Sequence, residues 1–117
     1  MDFIDPTMPI IGYLERSFGN EAKSFRSFKA EAGAPLPCVR VKTVGSSTVQ
    51  LIIRADEDVV AFKLCTEIAN YLKRNSSQIE GINVFDISLQ TPVYPSVDED
   101  TQKDEAWCYL SLNYFEN

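Results

Sequence analysis

The sequence contains no histidine, and this absence narrows its chemistry before any motif is considered. Ser-His and Cys-His nucleophile pairs, histidine metal ligands and the side chain best suited to proton transfer near neutral pH are all excluded. Cysteine is scarce, with Cys38, Cys65 and Cys108 far apart and no CxxC pair among them. This pattern favours neither a disulfide framework nor a zinc site, so we expect buried free thiols.

Long apolar runs are missing as well. No stretch approaches the roughly 20 residues that a membrane-spanning helix requires, and the opening MDFIDPTMPI has acids where a signal peptide would carry positive charge. These features predict an intracellular protein with no membrane partner. The chain has 117 residues, of which 44% are hydrophobic and 24% are charged. Such a length and balance predict a single soluble domain over residues 1–117.

Basic side chains are scarce in the last third of the chain. The net charge is −6, and between residues 75 and 117 Lys103 is the only base, against eight Asp and Glu. Residues 22–43 show the reverse, with five Lys and Arg against Glu31 alone. The acidic total disfavours general binding to DNA, which relies on Lys and Arg displacing counterions from phosphates. The chain therefore carries a basic stretch and an acidic stretch that lie apart in the sequence.

Two helices are predicted from capping residues and apolar spacing. The first begins near Thr7 and ends at Gly19. The second begins after an N-cap at Asp56 and reaches about residue 74, with Glu57 and Asp58 at its positive end. Its apolar spacing predicts a buried stripe at Ala61, Leu64, Cys65, Ile68 and Leu72.

Alternating apolar residues predict the strands. Residues 38–55 form a hairpin around a Gly/Ser turn, residues 82–91 form a strand with two partly covered faces or a bulge near Phe85, and residues 106–115 form the last strand. This order predicts an α+β domain, an antiparallel sheet of about four strands with two or three helices packed on one face. The segment 19–37 has two interpretations, an arm or a short extra helix.

The last strand carries aromatic residues on the face that the helices would leave uncovered. Trp107, Tyr109 and Phe115 lie on that face, interleaved with Ser and Asn. Aromatic residues are enriched where proteins contact one another. These three side chains are therefore predicted to face a protein partner.

The acidic run DEDTQKDE, residues 98–105, has three interpretations. Its first residues have the spacing of a calcium loop, but Lys103 stands where that loop needs Gly and Tyr109 where it needs Glu, so no metal site is predicted. A solvated loop between two strands is the second interpretation, and an electrostatic contact with another subunit is the third. Because no catalytic constellation is found, we predict no enzymatic activity and no cofactor.

The order of these features resembles the tail terminator, tail completion and minor capsid proteins of tailed bacteriophages, which join head and tail. The resemblance rests on a helix in MPIIGYLERSFG, then PLPCVRV and a hairpin, the helix DEDVVAFKLCTEIANYLKRN, the segment EGINVFDISLQTPVYPSVDED and the closing AWCYLSLNYF. It implies a structural virion protein without catalytic residues. Such proteins form a ring, usually a homohexamer, that caps the completed tail tube and joins it to the head or neck.

The resemblance also implies partners and a location. The partners would be copies of the chain, the major tail tube protein and the connector or neck proteins, with DNA passing through the lumen without specific binding. Assembly would take place in the cytoplasm of the bacterial host, and the mature location would be the tail or neck of the virion.

Separated charges suit a ring, because a closed ring joins one patch of a subunit to a different patch of the next. We expect acids of the 98–105 run to face either a neighbour's bases or the channel lumen, where they would repel DNA. The acids are Asp98, Glu99, Asp100, Asp104 and Glu105, and the candidate bases are Arg26, Lys29, Arg40 and Lys42. Two alternatives are a protein-binding module that uses the aromatic strand, and a small metal-dependent hydrolase or nuclease.

Overall fold

A computed structural model describes residues 5–115 of the chain, with side chains described from residue 5 to residue 113. Within that range the chain forms two α-helices, six strands and one short 3₁₀ turn. In chain order these are α1 (Thr7–Phe18), β1 (Ser24–Ser27), β2 (Cys38–Thr43), β3 (Thr48–Ala55), α2 (Asp58–Arg74), the 3₁₀ turn (Ser76–Gln78), β4 (Asn83–Leu89), β5 (Tyr94–Val97) and β6 (Asp104–Phe115).

The strands form one mixed sheet in the order β1-β2-β3-β6, with β4 and β5 both paired to the other edge of β6. The pairing of β1 with β2 is parallel, and the remaining pairings are antiparallel. At 12 residues, β6 is long enough to hold β5 along its first part and β4 along its second. The α+β class is confirmed. The sheet differs from the expected one in having six strands and one parallel pair.

Both helices pack on the same face of the sheet and share one hydrophobic core with it. The predicted stripe of α2 is buried, and it lies mainly against β3 and β6. Each fully buried Leu or Ile in such a core stabilises the fold by about 2 kcal/mol. No helix within residues 5–115 combines the length and apolar character needed to cross a membrane.

The ends of α1 follow from local chemistry. The Asp5 carboxylate accepts a hydrogen bond from the Thr7 N–H at 3.0 Å, which places a negative charge at the positive end of the helix. At the other end, a Cβ atom on Gly19 would lie 2.9 Å from the carbonyl oxygen of Glu15. Gly19 is the C-cap residue, so the helix ends where the sequence predicted.

Of the two interpretations of residues 19–37, the short extra helix is wrong. Ser24–Ser27 instead pair with residues 38–41 as an edge strand, and the chain then returns as a loop. The buried Ser24 hydroxyl donates to the Pro35 carbonyl oxygen at 2.6 Å, which fixes this loop against the strand. The apolar spacing that suggested a helix instead places Ala22, in the turn after α1, and Phe25, in β1, against the core. Pairing with a distant strand has overridden a weak local pattern.

The N-cap of α2 also differs from the prediction. Glu57, and not Asp56, is the N-cap residue, with extended backbone and no hydrogen bond from its side chain to the helix. The Asp56 carboxylate instead lies 2.9 Å from Nζ of Lys103, in the loop before β6. Asp56 therefore joins two loops rather than starting a helix.

Residues 82–97 contain the bulge that was one of the two alternatives for this strand, and they contain a further strand that was not predicted. The pairing of β4 with β6 shifts register between Val84 and Asp86, so the expected bulge near Phe85 is confirmed. The strand β5 was not predicted, because it has four residues and includes Pro95. It is held by antiparallel pairing with the first four residues of β6.

The three cysteines are free and buried, as expected. Cys65 of α2 and Cys108 of β6 share a hydrogen bond inside the core, and this bond, together with burial, raises the pKa of Cys65. Because the thiolate is the reactive form, Cys65 is an inert packing residue.

Candidate interaction surfaces

The face of the sheet turned away from the helices is only partly covered, and we call it the open face. Strand pairing aligns one of its residues from each of five strands in a row across the sheet. From β1 to β5, the row is Arg26, Arg40, Ile52, Trp107 and Tyr94. Neighbouring strands lie ~4.8 Å apart, so the row spans about 19 Å. It changes along its length from basic to aromatic.

Three aromatic side chains, Tyr94, Trp107 and Tyr109, form the aromatic cluster at one end of this row. The ring centroids of Tyr94 and Trp107 are 5.1 Å apart, and those of Trp107 and Tyr109 are 5.4 Å apart. Ring contacts at such distances are worth about 1 kcal/mol each beyond burial. Tyr94 is 44% exposed, and the other two are half-buried. The cluster is thus held in place while still presenting ring surface to solvent.

The predicted aromatic residues are only partly brought together. Trp107 and Tyr109 contact each other on the open face. The backbone of Phe115 pairs with Asn83, and its side chain lies outside the described residues. Tyr94 was missed because β5 was not foreseen. The sequence signal that could have indicated β5 was an aromatic residue next to Pro95, in a segment between two turns.

The acidic loop and the open face meet at one buried arginine, Arg54 of β3, which is 5% exposed. Its Nε donates to Oε2 of Glu105 at 3.3 Å, and its Nη2 lies 3.7 Å from Oδ2 of Asp98. Its Nη1 donates to the carbonyl oxygen of Glu31 at 3.0 Å. A buried charge persists when it is paired and hydrogen-bonded in this way. Arg54 therefore ties the loop after β1 to the acidic loop and to β6.

Asp98 also closes the turn of its own loop. Its Oδ2 accepts hydrogen bonds from the Thr101 hydroxyl at 2.6 Å and from the Thr101 N–H at 3.1 Å. The hydroxyl bond, with smaller effects from the Thr101 N–H and the charges of Arg54 and Arg40, lowers the pKa of Asp98. The carboxylate is therefore charged at neutral pH and already has partners within its own chain.

The predicted acids and bases divide into paired and unpaired groups. Asp98 and Glu105 are engaged by Arg54, and Arg26 donates two hydrogen bonds to Glu31 at 2.9 and 3.1 Å. The bond from Arg26 lowers the pKa of Glu31 to about 2. Within the described part of the chain, six predicted residues make no ion pair, namely Glu99, Asp100, Asp104, Lys29, Arg40 and Lys42.

The basic and acidic stretches, separate in the sequence, meet in space at one corner of the open face. A cavity of about 190 Å³ lies at this corner. It is lined by Lys29 and Arg40 of the basic stretch, by Arg54 of β3, and by Asp98 and Asp100 of the acidic run. The Nε atom of Arg40 is buried and has no hydrogen-bond partner. An unpaired buried donor costs about 1–3 kcal/mol, so this one atom of Arg40 is unsatisfied in the single chain.

On the opposite side of the sheet, the start of α2 exposes apolar side chains. Val59 is 68% exposed and Phe62 is 45% exposed, and Val60 and Pro95 lie beside them. We call these four residues the helix patch. It borders two depressions of about 420 and 340 Å³. The patch was not predicted, because the period of the buried stripe dominates the α2 sequence, although the run DVVAF already places apolar residues on both sides of the helix.

No protein-family model matches the chain, and a search of curated proteins finds no match. Among the side chains that the structure describes, no group of three or more Cys, Asp or Glu is arranged to hold a metal ion. The open face and the helix patch are therefore the two surfaces that point to a function.

Proposed function

We propose that this protein is a structural subunit that assembles head-to-tail with copies of itself into a ring, as the tail terminator proteins that its sequence resembles do. The observation that carries the proposal is that two unlike surfaces, the open face and the helix patch, lie on opposite sides of one sheet. A subunit with two unlike contact surfaces forms heterologous contacts, which close into a ring when the rotation between copies allows it.

The composition of both surfaces supports a protein contact. Exposed apolar patches mark places where proteins associate. The helix patch has this character, with Val59 and Phe62 largely exposed. Tyr, Trp and Arg are the residues most often found at the centres of such contacts, and the open face aligns Tyr94, Trp107 and Arg40 in one row.

The wider role follows the resemblance. The ring would cap the tail tube, contact the tube protein on one side and the connector or neck proteins on the other, and become part of the virion after assembly in the bacterial cytoplasm. Glu99 and Asp100 are exposed, and no described residue forms an ion pair with either. These acids suit a lumen through which DNA passes, because like charges keep phosphates from adhering.

Light scattering and negative-stain electron microscopy of the purified protein test this proposal. We expect ring-shaped particles of uniform size at high concentration, and binding of the protein to one end of purified tail tubes. A protein that stays monomeric up to about 1 mM, the limit of weak association, and that leaves tail tubes bare would contradict the proposal. That result would favour the second candidate, a module that binds a different protein through the aromatic cluster.

A further inference from the structure

We infer that the head-to-tail contact joins the first two turns of α2 in one copy to the open face of the next. In this contact Asp58 meets Arg40 of the neighbouring copy, and Val59 and Phe62 pack on its aromatic cluster. The inference rests on the proposed function, because it names the two surfaces that would build the same assembly.

The guanidinium of Arg40 is one half of the inferred contact. Its guanidinium donates no hydrogen bond to any side chain or backbone group that the structure describes, and its Nε is shielded from water. Asp98 lines the same cavity, but its carboxylate is occupied by Thr101 and Arg54. A carboxylate from another molecule would give Arg40 charge-assisted hydrogen bonds, which are about twice as strong as neutral ones.

The start of α2 offers that carboxylate. Asp58 is exposed, and one of its oxygens, Oδ1, accepts a hydrogen bond from the Val59 N–H at 2.7 Å. No described group donates to the second oxygen, Oδ2. Glu57 adds another exposed acid beside it. The acidic rim of the helix patch is therefore complementary in charge to the basic end of the open-face row.

The spacing of the two surfaces also fits. Asp58 and Phe62 are one helical turn apart, about 6 Å along the axis, and project to the same side of α2. Arg40 and Trp107 are two strands apart, about 10 Å, and the long arginine side chain can cover the difference. The helix can then place its acid at the basic end of the row and its apolar residues on the rings.

Tyr94 has a matching depression to enter. It is the most exposed ring of the aromatic cluster, and the depression of about 340 Å³ on the helix side is lined by Asp58, Val59, Phe62, Lys63 and Pro95. An aromatic ring inserted between apolar walls buries a large area at a low cost in conformational entropy. Because the two surfaces lie on opposite sides of the sheet, each copy can bind one neighbour through its open face and a second neighbour through its helix patch.

Two charge reversals test the contact by sedimentation velocity. Arg40→Glu and Asp58→Arg are each expected to weaken association at least about 30-fold, as loss of a close interfacial charge pair does. Combining both changes in one chain restores opposite charges across the contact, and assembly is expected to return. Neither single variant is expected to form rings at concentrations where the unmodified protein does.

Mixing the two single variants gives a sharper result. The variant Asp58→Arg keeps an intact open face, and Arg40→Glu keeps an intact helix patch, so one unmodified contact can form between them. The two altered surfaces also carry opposite charges, as they do in the double variant. An equal mixture is therefore expected to form assemblies in which the two variants alternate, whereas neither variant assembles alone.

Matched controls separate this contact from general charge effects. Lys73→Glu reverses an exposed charge at the far end of α2, and Ser88→Glu adds one on an exposed part of the open face at β4. Both are expected to assemble normally. If Arg40→Glu does not fold, as judged by circular dichroism, Tyr94→Asp tests the same surface at an exposed position.

The outcomes for the contact and for the ring can be told apart. If the unmodified protein forms rings and the open-face and helix variants form them equally well, the contact is wrong and the ring stands. If the unmodified protein is monomeric and leaves tail tubes bare, the proposed function itself fails, and this contact fails with it.

Discussion

Arg54 is the residue on which the corner of the open face depends, and its replacement makes the first prediction. In Arg54→Met, the carboxylates of Asp98 and Glu105 lose their shared counter-charge and the Glu31 carbonyl oxygen loses its donor. Removing one partner of a buried charge network costs about 3 kcal/mol or more. We expect the free energy of unfolding, measured with urea, to fall by about 3 kcal/mol.

The control for Arg54 removes the whole network. When Arg54→Met is combined with Asp98→Asn and Glu105→Gln, no uncompensated charge remains, and most of the lost stability is expected to return. A loss below about 1 kcal/mol in the single variant would show that the network contributes little.

Tyr13 and Tyr71 join the two helices and make a prediction about titration. Tyr13 and Ser17 both donate to the Tyr71 oxygen, at 3.4 and 3.1 Å. Burial, followed by the bond to Tyr71, raises the pKa of Tyr13 to about 12, whereas the bonds from Ser17 and Tyr13 lower the pKa of Tyr71. In NMR of ¹³C-labelled tyrosine, Tyr71 is therefore expected to titrate before Tyr13.

The sign of the Tyr13 effect on stability follows from its raised pKa. The folded state favours the neutral phenol, so this contribution is complete below the usual pKa of 10 and is lost as the pH rises through about 12. In the variant Tyr13→Phe, the tyrosine titration near pH 12 is expected to be absent. Equal titration midpoints for Tyr13 and Tyr71 would show that the two hydroxyl groups do not form a hydrogen bond.

At the scale of elements, the start of α2 makes the third prediction. Glu57 has the extended backbone of an N-cap residue but makes no capping hydrogen bond. The shorter carboxylate in Glu57→Asp can accept the N–H of Val60 while keeping its charge at the positive end of the helix. We expect the free energy of unfolding to rise by about 1 kcal/mol in urea titrations.

Glu57→Gln serves as the comparison for this cap. It keeps the length of the side chain and removes the charge, so a small loss of stability is expected from the weaker interaction with the helix dipole. A gain of equal size in both variants would show that capping is not the cause.

The elements that could be predicted from sequence are those whose local signals agree. In α2, the acids at the start, the bases at the end and the apolar period coincide, and the buried stripe is confirmed from Ala61 to Leu72. The β2–β3 hairpin and β6 likewise have their own alternation. In contrast, β1 and β5 have four residues each and exist only by pairing with β2 and β6. Short edge strands carry too little local information to be recognised.

The candidate site could be predicted only in part for a related reason. The alternation of β3 places Val49, Leu51 and Ile53 on the face that is buried in the core, and it places Arg54 on the opposite face, where a charged residue is expected to meet solvent. Two of its partners lie 51 and 23 residues away, in a strand and a loop whose positions depend on the whole fold. Residue types and their charges were visible in the sequence, whereas the distances between them were not.

At the scale of the whole molecule, the fold brings together charges that lie apart in the sequence. The basic and acidic stretches lie apart in the sequence, yet both line one cavity beside Arg54. Asp98 and Glu105 of the acidic run are therefore neutralised within the chain, whereas Arg40 on one side of the sheet and Asp58 on the other are among the charges left for a neighbour. The strand β5 connects these sides, because Tyr94 lies in the open-face row and Pro95 belongs to the helix patch.

The last prediction uses Trp107, the single tryptophan of the chain, as a reporter of assembly. It is half-buried on the open face, in the middle of the inferred contact. Covering it with Val59 and Phe62 of the next copy removes water from the indole, so its fluorescence emission should move to shorter wavelength as protein concentration rises. The shift should weaken at high salt, because the charge pair at the rim of the contact is screened.

The variant Asp58→Arg supplies the control for this measurement, since its own Trp107 is unchanged. At equal concentration it should keep the emission of the monomer. If instead the unmodified protein assembles while the emission of Trp107 stays constant, the rings meet through a surface other than the aromatic cluster. A shift that is the same in both proteins would mean that Trp107 responds to concentration without Asp58, and the helix patch would then not be its partner.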